Sequence, residues 1–362
     1  MAAYICYLVL AGMQIPLFFK ENLLRKRSFD MKGYLILCCA ELIVLTGIRG
    51  YTIGADTKTY LQAIDYYGQM PALQLIRAKL VYPFDFEIGY FLLTKLVCLL
   101  GIGKTGFLFI VSLMIYIPVF ILIKKYSPMP YVSILCYFAF GFFSYSLGIF
   151  RQMIAISILF FGWNYITERK FLKYLAVVLF ASTFHMTALS AIFLYFLYWI
   201  KWKRAVVWIV PIEVALLIFG RYVVLLLVRL FPQYAGYIGG KYDVQGGSYL
   251  MLLLVNVLLI ASILLKDKDQ EDTRDSVTTC ALFLAICTQC LGYSLGILGR
   301  AVSYFSIYII LAIPNIIRSL ENRFEHRFRT LASLVAVLCL FAFVYFEFDG
   351  NKYVVPYVTF WS

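Results

Sequence analysis

Long apolar runs follow one another along almost the whole chain, and only short polar segments separate them. A transmembrane helix needs about 20 predominantly apolar residues, so most of these runs are long enough to cross a bilayer. The sequence is 63% hydrophobic and only 14% charged, whereas a soluble domain carries about 25% charged residues. The longest polar segment, 49–87, leaves no room for a separate soluble domain. We therefore expect an all-α polytopic integral membrane protein with a single multi-span domain over residues 1–362.

The apolar runs predict about 11–13 transmembrane helices. The first run is expected to be a retained span, because no basic leader or small-residue cleavage site accompanies it. The spans are expected at roughly 3–19, 33–48, 105–123, 130–148, 151–166, 171–184, 186–200, 205–230, 248–265, 276–298, 301–317 and 330–346.

Two stretches depart from a regular series of spans. The short runs 171–184 and 186–200 are interpreted as a hairpin that turns at His185. The stretch 88–103 carries Lys95 within an apolar run and is interpreted as a re-entrant or interfacial segment. Such a segment is tolerated at membrane depth where it lines a cavity enclosed by protein. The fold prediction thus includes one re-entrant or broken helix.

The distribution of basic residues predicts the threading of the chain. The net charge is +13, but the basic residues lie in short segments between spans, which indicates a membrane protein and not a nucleic-acid partner. Segments with an excess of Lys and Arg are cytoplasmic by the positive-inside rule, and here they are 20–32, 166–173, 201–204 and 318–330. The balanced segments 49–87 and 231–247 and the net-negative tail 345–362 are assigned to the outer face.

This threading brings four polar residues to one face of the membrane. Arg49, Arg151, His185 and Arg300 all lie at the ends of apolar runs, in turns that are assigned to the outer face. Charged groups at or near hydrocarbon depth cost several kcal/mol unless they are paired or hydrated. The planar, forked guanidinium matches phosphate geometry with paired hydrogen bonds. The sequence therefore predicts a site for a diphosphate whose lipid tail lies in the bilayer.

The outer segment 49–87 carries the other candidates for chemistry. It holds four carboxylates that could act as a base or hold a sugar hydroxyl. Asp56 is the favoured candidate because it lies seven residues after Arg49, and Glu87 is a further candidate. The short outer loop 231–247 is rich in tyrosine, which supplies stacking faces for sugars but also forms ordinary interface belts. The sequence has no phosphate-binding P-loop, no nucleophile elbow and no metal-ligand cluster, so we expect no cofactor and no metal.

Four short motifs resemble the EpsG-like family of Wzy-type polymerases of exopolysaccharide and capsular polysaccharide. The first is an arginine followed by G-x-D-T-x-x-Y, matched by Arg49, Gly54, Asp56, Thr57 and Tyr60. The second is an R-Q pair that opens a middle span, matched by Arg151 and Gln152. The others are F-H-x-[ST]-A and R-x-x-x-Y-F, matched by Phe184, His185, Thr187, Ala188, Arg300, Tyr304 and Phe305.

This resemblance implies a glycosyltransferase in the bacterial cytoplasmic (inner) membrane with an active site that faces outward. Its substrates would be polyprenyl-diphosphate-linked oligosaccharides, and its partners would be membrane lipid and other polysaccharide-assembly proteins. The three arginines would hold the diphosphate, and His185 or Asp56 would take the proton of the acceptor hydroxyl. The chain departs from many Wzy-type enzymes in one respect, because 231–247 is short and contains only one basic residue, Lys241.

Two other function classes fit the same composition. A flippase or exporter of lipid-linked glycans would place basic residues at several depths along a transport path, whereas here they gather at one face. A glycan ligase is close to a polymerase in its chemistry, and a membrane acyltransferase would need an entrance for an acyl donor on the cytoplasmic face. We therefore favour the polymerase.

Overall fold

The computed structural model describes residues 1–21, 27–80, 84–230, 236, 238, 246–265, 273–321, 323 and 326–361. Within these residues the chain is helical except for one short hairpin. Strand β1 (Phe19–Glu21) pairs antiparallel with β2 (Arg27–Phe29), with Phe19 opposite Phe29. The predicted all-α polytopic fold is confirmed.

Nineteen α-helices follow one another within the described residues. They are α1 (Ala2–Met13), α2 (Met31–Gly47), α3 (Thr57–Gly68), α4 (Ala72–Arg77), α5 (Ile88–Leu99), α6 (Lys104–Tyr126), α7 (Pro130–Ala139), α8 (Phe142–Gly148), α9 (Phe150–Leu159), α10 (Trp163–Thr167), α11 (Phe171–Ser182), α12 (Ile192–Leu197), α13 (Trp202–Ala205), α14 (Ile209–Leu230), α15 (Tyr249–Leu264), α16 (Thr273–Ser294), α17 (Gly299–Ser306), α18 (Ile309–Glu321) and α19 (His326–Phe348).

The helices divide between two compact units. The first unit comprises Met1–Phe161, Leu179–Met186 and Leu331–Ser362, and it is built around the packing of α2 and α9 on α6. The second unit comprises Gly162–Val178 and Thr187–Thr330, and its centre is α16, against which α14, α15 and α17 pack.

Three continuous helices of the described residues are long and apolar enough to cross a membrane, namely Lys104–Tyr126, Trp202–Leu226 and Ser276–Ser294. Two bent pairs bring this number to 5. Six shorter apolar helices of 10–17 residues also occur: Ala2–Phe18, Ile88–Leu99, Phe171–Ser182, Met186–Leu197, Tyr249–Leu264 and Ser333–Phe348. If each bent pair and each shorter helix counts as one crossing, the described residues contain 11 spans, which is the lower end of the expected 11–13.

Helix breaks occur at the predicted hairpin and also within spans that the sequence suggested were continuous. His185 lies between the end of α11 and a 3-10 helix over Met186–Ala191, as expected for the turn. The pair α7 and α8 bends by 62°, and Gly141 at this bend has φ +76°. The pair α17 and α18 bends by 42°. Glycine adopts a left-handed conformation at little energetic cost, which explains the position of the first bend.

The polar segment 49–87 contains two helices instead of an extended loop. Helix α3 is amphipathic, with Tyr60, Ile64 and Tyr67 buried at helical spacing. Tyr60 lies against Tyr90, and Tyr67 against Phe91, with ring centroids 5.3 and 5.5 Å apart. The apolar face of α3 therefore packs on α5 and covers it. Helix α5 is the short helix within the stretch 88–103, for which the sequence predicts a re-entrant or interfacial segment.

Lys95 joins α5 to α4. Its ammonium group donates hydrogen bonds to the carbonyl oxygens of Ile76 (2.7 Å) and Ala78 (3.1 Å), and it lies 5.1 Å from the centroid of the Phe91 ring. Carbonyl groups at the C-terminus of a helix carry a partial negative charge and favour a cation. Helix α5 thus accommodates a lysine within an apolar run because the ammonium is bound by protein.

We predict that Lys95→Met destabilises the protein by about 1.5–3 kcal/mol, since it removes charged hydrogen bonds and leaves two carbonyl groups without their donor. The measurement is thermal unfolding of the purified protein in detergent. Lys58→Met, on the exposed face of α3, is the matched control and should leave the melting temperature nearly unchanged. Equal effects of the two substitutions would contradict the assignment.

Candidate functional site

The carbonyl oxygen of Leu147 is the meeting point of two predicted site residues. Arg49 follows α2, and its Nη2 lies 3.3 Å from this oxygen, while its Nη1 donates to the carbonyl of Thr46. Thr57, the first residue of α3, donates its hydroxyl to the same Leu147 oxygen at 2.9 Å. The two ends of segment 49–57 are therefore held on one backbone group.

Glycines permit the close approach of this segment to the end of α8. Gly54 has φ +102°, and a Cβ atom there would lie 1.9 Å from the Leu147 oxygen. A Cβ atom on Gly148 would lie 2.5 Å from the backbone nitrogen of Ala55. The backbone of residues 54–55 therefore packs directly on the backbone of residues 147–148. This close contact explains the glycine of the G-x-D-T motif.

Arg49 is buried to an unusual degree for a charged side chain. It is only 1% exposed, and its guanidinium carbon lies 5.3 Å from the centroid of the Phe150 ring. Its Nε has no hydrogen-bond acceptor among the described residues. Burial lowers the pKa of Arg49 to about 10, so the guanidinium stays charged at neutral pH. The structure therefore places the buried Arg49 guanidinium against the ring of Phe150, the residue that precedes Arg151.

Arg151 forms an ion pair with Glu87. Its Nη1 lies 2.5 Å from Oε2 of Glu87 and 3.3 Å from the carbonyl oxygen of Asp85. The guanidinium carbon is 5.4 Å from the centroid of the Phe86 ring. The two side chains are 24% and 21% exposed, so the pair is partly accessible. Arg151 is thus oriented by a carboxylate 64 residues earlier in the chain.

Glu87 also contacts the segment that carries His185. Its second oxygen, Oε1, accepts a hydrogen bond from the backbone N–H of Met186 at 3.2 Å. The backbone N–H of Gly89 donates to the carbonyl of Thr183 at 2.8 Å. His185 itself is 8% exposed. One carboxylate therefore links Arg151 to the residue that follows His185.

Aromatic rings connect the surroundings of the two arginines. Tyr60 stacks on the buried Phe150, with ring centroids 4.7 Å apart and an interplanar angle of 25°. Burial raises the pKa of Tyr60, and the nearby Arg151 guanidinium partly opposes this effect. Arg49 lies over the Phe150 ring and Arg151 over the Phe86 ring, and Tyr60 contacts both rings.

Three of these structural features were not identified from the sequence: Phe86, Phe150 and the Leu147 carbonyl group. Phe150 directly precedes Arg151, and Phe86 directly precedes Glu87. An aromatic residue next to each charged candidate was the available signal. Nothing in the local sequence indicated that a backbone carbonyl would be the partner of Arg49.

The remaining predicted residues are placed as follows. Asp56 is exposed at the start of α3, and its side chain makes no capping hydrogen bond. Gln152 is buried in α9. Arg300 and Tyr304 lie on α17, where Arg300 is exposed and Tyr304 is buried.

The first unit thus contains Arg49, Asp56, Thr57, Tyr60, Glu87, Arg151, Gln152 and His185, whereas Arg300 and Tyr304 belong to the second unit. The convergence of all four motifs stays a prediction. Most of the outer loop 231–247, including Lys241, lies outside the described residues. No group of three or more metal-ligating side chains occurs within the described part of the chain.

The fold and the site define a polytopic helical membrane protein with paired and buried arginines near the ends of its helices. The chain belongs to the EpsG family, which it matches over residues 32–359. This match covers nearly the whole chain and confirms the resemblance to Wzy-like polymerases. No curated protein and no solved structure matches the chain.

We predict that Gly54→Ala disrupts the site, because an L-residue with a positive φ costs about 1–3 kcal/mol and the new methyl group would overlap the Leu147 carbonyl. The measurement is the melting temperature in detergent. Gly101→Ala is the matched control, since Gly101 also has a positive φ of +65° but a Cβ atom there would meet no other atom within 4 Å. If Gly101→Ala lowered the melting temperature as much, the close contact with Leu147 would not be the cause.

Proposed function

We propose that this protein is a membrane glycosyltransferase that joins polyprenyl-diphosphate-linked oligosaccharide repeat units at the outer face of the bacterial cytoplasmic membrane. Membership of the EpsG family over residues 32–359 supports a polymerase-like membrane protein. The observation that carries the proposal is the Arg151–Glu87 pair, whose carboxylate also binds the backbone beside His185.

The pair suits a site that binds a diphosphate. Arg151 is partly exposed, and its guanidinium is held by the ion pair with Glu87 and by a side-chain hydrogen bond with Tyr60. A guanidinium held in this way has a fixed plane, and the planar, forked group matches the geometry of phosphate oxygens. Arg49 is nearly inaccessible. In this proposal it therefore stabilises the diphosphate through its charge, at a distance.

The proposed reaction needs neither a nucleotide nor a metal. The hydroxyl oxygen of the acceptor sugar forms a bond to the anomeric carbon of the donor glycan, while the bond from that carbon to the diphosphate breaks. The polyprenyl diphosphate leaves with the bonding electrons, and the arginines stabilise the charge that it gains. Fixed positioning of donor and acceptor supplies much of the remaining rate enhancement.

A base must take the proton of the acceptor hydroxyl. His185 and Asp56 are the two candidates in the proposal. Histidine titrates near neutrality and suits this role, and His185 is held next to the Glu87 contact. Asp56 is exposed and makes no capping bond, so its carboxylate is accessible. Arginine stays protonated and is restricted to binding.

The other predicted residues have supporting roles in this proposal. Thr57 and Tyr60 position the segment that carries Asp56, through the Leu147 carbonyl and the Phe150 ring. Gln152 directly follows Arg151 in α9. Arg300 and Tyr304 stay predicted ligands of the diphosphate or the glycan.

We predict that Arg151→Ala lowers the polymerisation rate by about 10²–10³, the usual cost of removing one group that stabilises developing negative charge. Arg151→Lys should restore only part of the rate, because a lysine cannot form the planar paired contact. The measurement is the length distribution of glycan formed by the full chain in liposomes from purified lipid-linked repeat units. Lys58→Ala on α3 is the control for loss of an exposed positive charge in the same segment.

Three outcomes would contradict the proposal. Full chain formation by Arg151→Ala and by Arg300→Ala would refute the assignment of the site. Translocation of the lipid-linked glycan in sealed vesicles without any change in glycan length would indicate a flippase. Products from a single transfer, or products that carry an acyl group, would indicate a ligase or an acyltransferase.

A further inference from the structure

The C-terminal segment 353–360, which we call the strap, pairs with the backbone around Arg49. The N–H of Gly50 donates to the carbonyl of Val358 at 2.8 Å, and the N–H of Phe360 donates to the carbonyl of Ile48 at 3.1 Å. Arg49 itself forms an antiparallel bridge with Thr359. The strap therefore holds the residues on both sides of Arg49.

The strap also reaches the glycine that packs on Leu147. The N–H of Gly54 donates to the carbonyl of Tyr353 at 2.7 Å. The strap is fixed in turn by α1, because the hydroxyl of Tyr4 donates to the carbonyl of Val354 at 3.0 Å. Segment 48–54 is thus bound along its length by a part of the chain about 300 residues away.

The strap fixes a segment that has little structure of its own. Residues 48–56 lie between α2 and α3 and form no regular helix. A segment of this kind samples many conformations unless hydrogen bonds restrict it. Hydrogen bonds restrict it here, to the Leu147 carbonyl, to the strap and, through the Tyr51 hydroxyl, to Thr105.

We propose that the strap is a positioning element of the polymerase site. It holds segment 48–54 so that Arg49 and Thr57 stay on the Leu147 carbonyl, four residues before Arg151. Charge stabilisation depends on donors that are already in place when the reaction occurs. The link to catalysis rests on the function proposed above, whereas the mechanical link between strap and segment does not.

A pair of contacting residues allows the proposal to be tested without removing the strap. A Cβ atom on Gly50 would lie 2.6 Å from Cγ2 of Val358, so Gly50→Ala should push the strap away. Val358→Ala removes that methyl group and should accommodate the new side chain. Gly103→Ala, where a Cβ atom meets nothing within 4 Å, is the matched control.

We expect Gly50→Ala to lower kcat of polymerisation by about 10-fold or more with a smaller change in KM, because displacement of a catalytic group by about 1 Å can cost 10²-fold. The double variant Gly50→Ala with Val358→Ala should recover to within about threefold of the wild type, as expected for two residues coupled by direct contact. Gly103→Ala and Val358→Ala alone should polymerise almost normally. Failure of the double variant to recover would overturn the proposal, as would a normal kcat for Gly50→Ala.

A second measurement reports on the strap itself, independently of any activity. Val354 is 2% exposed, so a cysteine at this position should resist a membrane-impermeant thiol reagent in a background where the exposed Cys6 and Cys339 are replaced by serine. Gly50→Ala should make it reactive, and Val358→Ala should protect it again. Unchanged protection in Gly50→Ala would overturn the mechanical link. If the labelling changes as expected but the wild-type protein does not polymerise, the proposed function is refuted and the mechanical link stands.

Discussion

The hydrogen bonds that Arg49 and Thr57 donate to the Leu147 carbonyl determine how the rest of the site is arranged. Helix α8 ends at Gly148 and α9 begins at Phe150, so carbonyl groups at this junction lose their partners within the helix. In apolar surroundings an unpaired carbonyl group costs several kcal/mol. Arg49 and Thr57 donate hydrogen bonds to the Leu147 carbonyl and so compensate its loss. The helix can therefore be interrupted at Ile149, directly before α9. Arg151 therefore projects from the first turn of a helix and not from the middle of a span.

Arg49 and Arg151 of the first unit are held by different kinds of partner, and the difference bears on the proposed anion binding. Arg151 has a carboxylate partner in Glu87. Arg49 instead donates from its two terminal nitrogens to the carbonyl oxygens of Thr46 and Leu147, which leave its charge in place. The Phe150 ring contacts both the Arg49 guanidinium and the ring of Tyr60. In the proposed function, the charge of Arg49 adds to that of Arg151 in favouring an anionic ligand.

Much of this arrangement could be predicted from the sequence, and the remainder has identifiable physical reasons. The apolar runs predicted the membrane class, the motifs predicted the EpsG family, and the spacing around His185 predicted a turn. The partner of Arg151 could not be predicted, because several carboxylates occur in segment 49–87 and only the tertiary fold selects Glu87. The bend at Gly141 was also missed, since a glycine in an apolar run is compatible with a straight span as well as with a break.

The strap makes the site depend on residues that are far apart in sequence. Segment 48–54 pairs with residues near 353–360, and Tyr4 of α1 closes the arrangement from the other end of the chain. Closing a loop of this length carries an entropic cost, which the hydrogen bonds and packing of the strap must offset. The observed form of segment 48–54 therefore requires the strap, which follows α19, to be in place. The family match extends to residue 359 and so includes nearly all of the strap. The backbone on both sides of Arg49 is therefore held by a segment about 300 residues away, so the position of this cation depends on the tertiary fold and not on the local sequence.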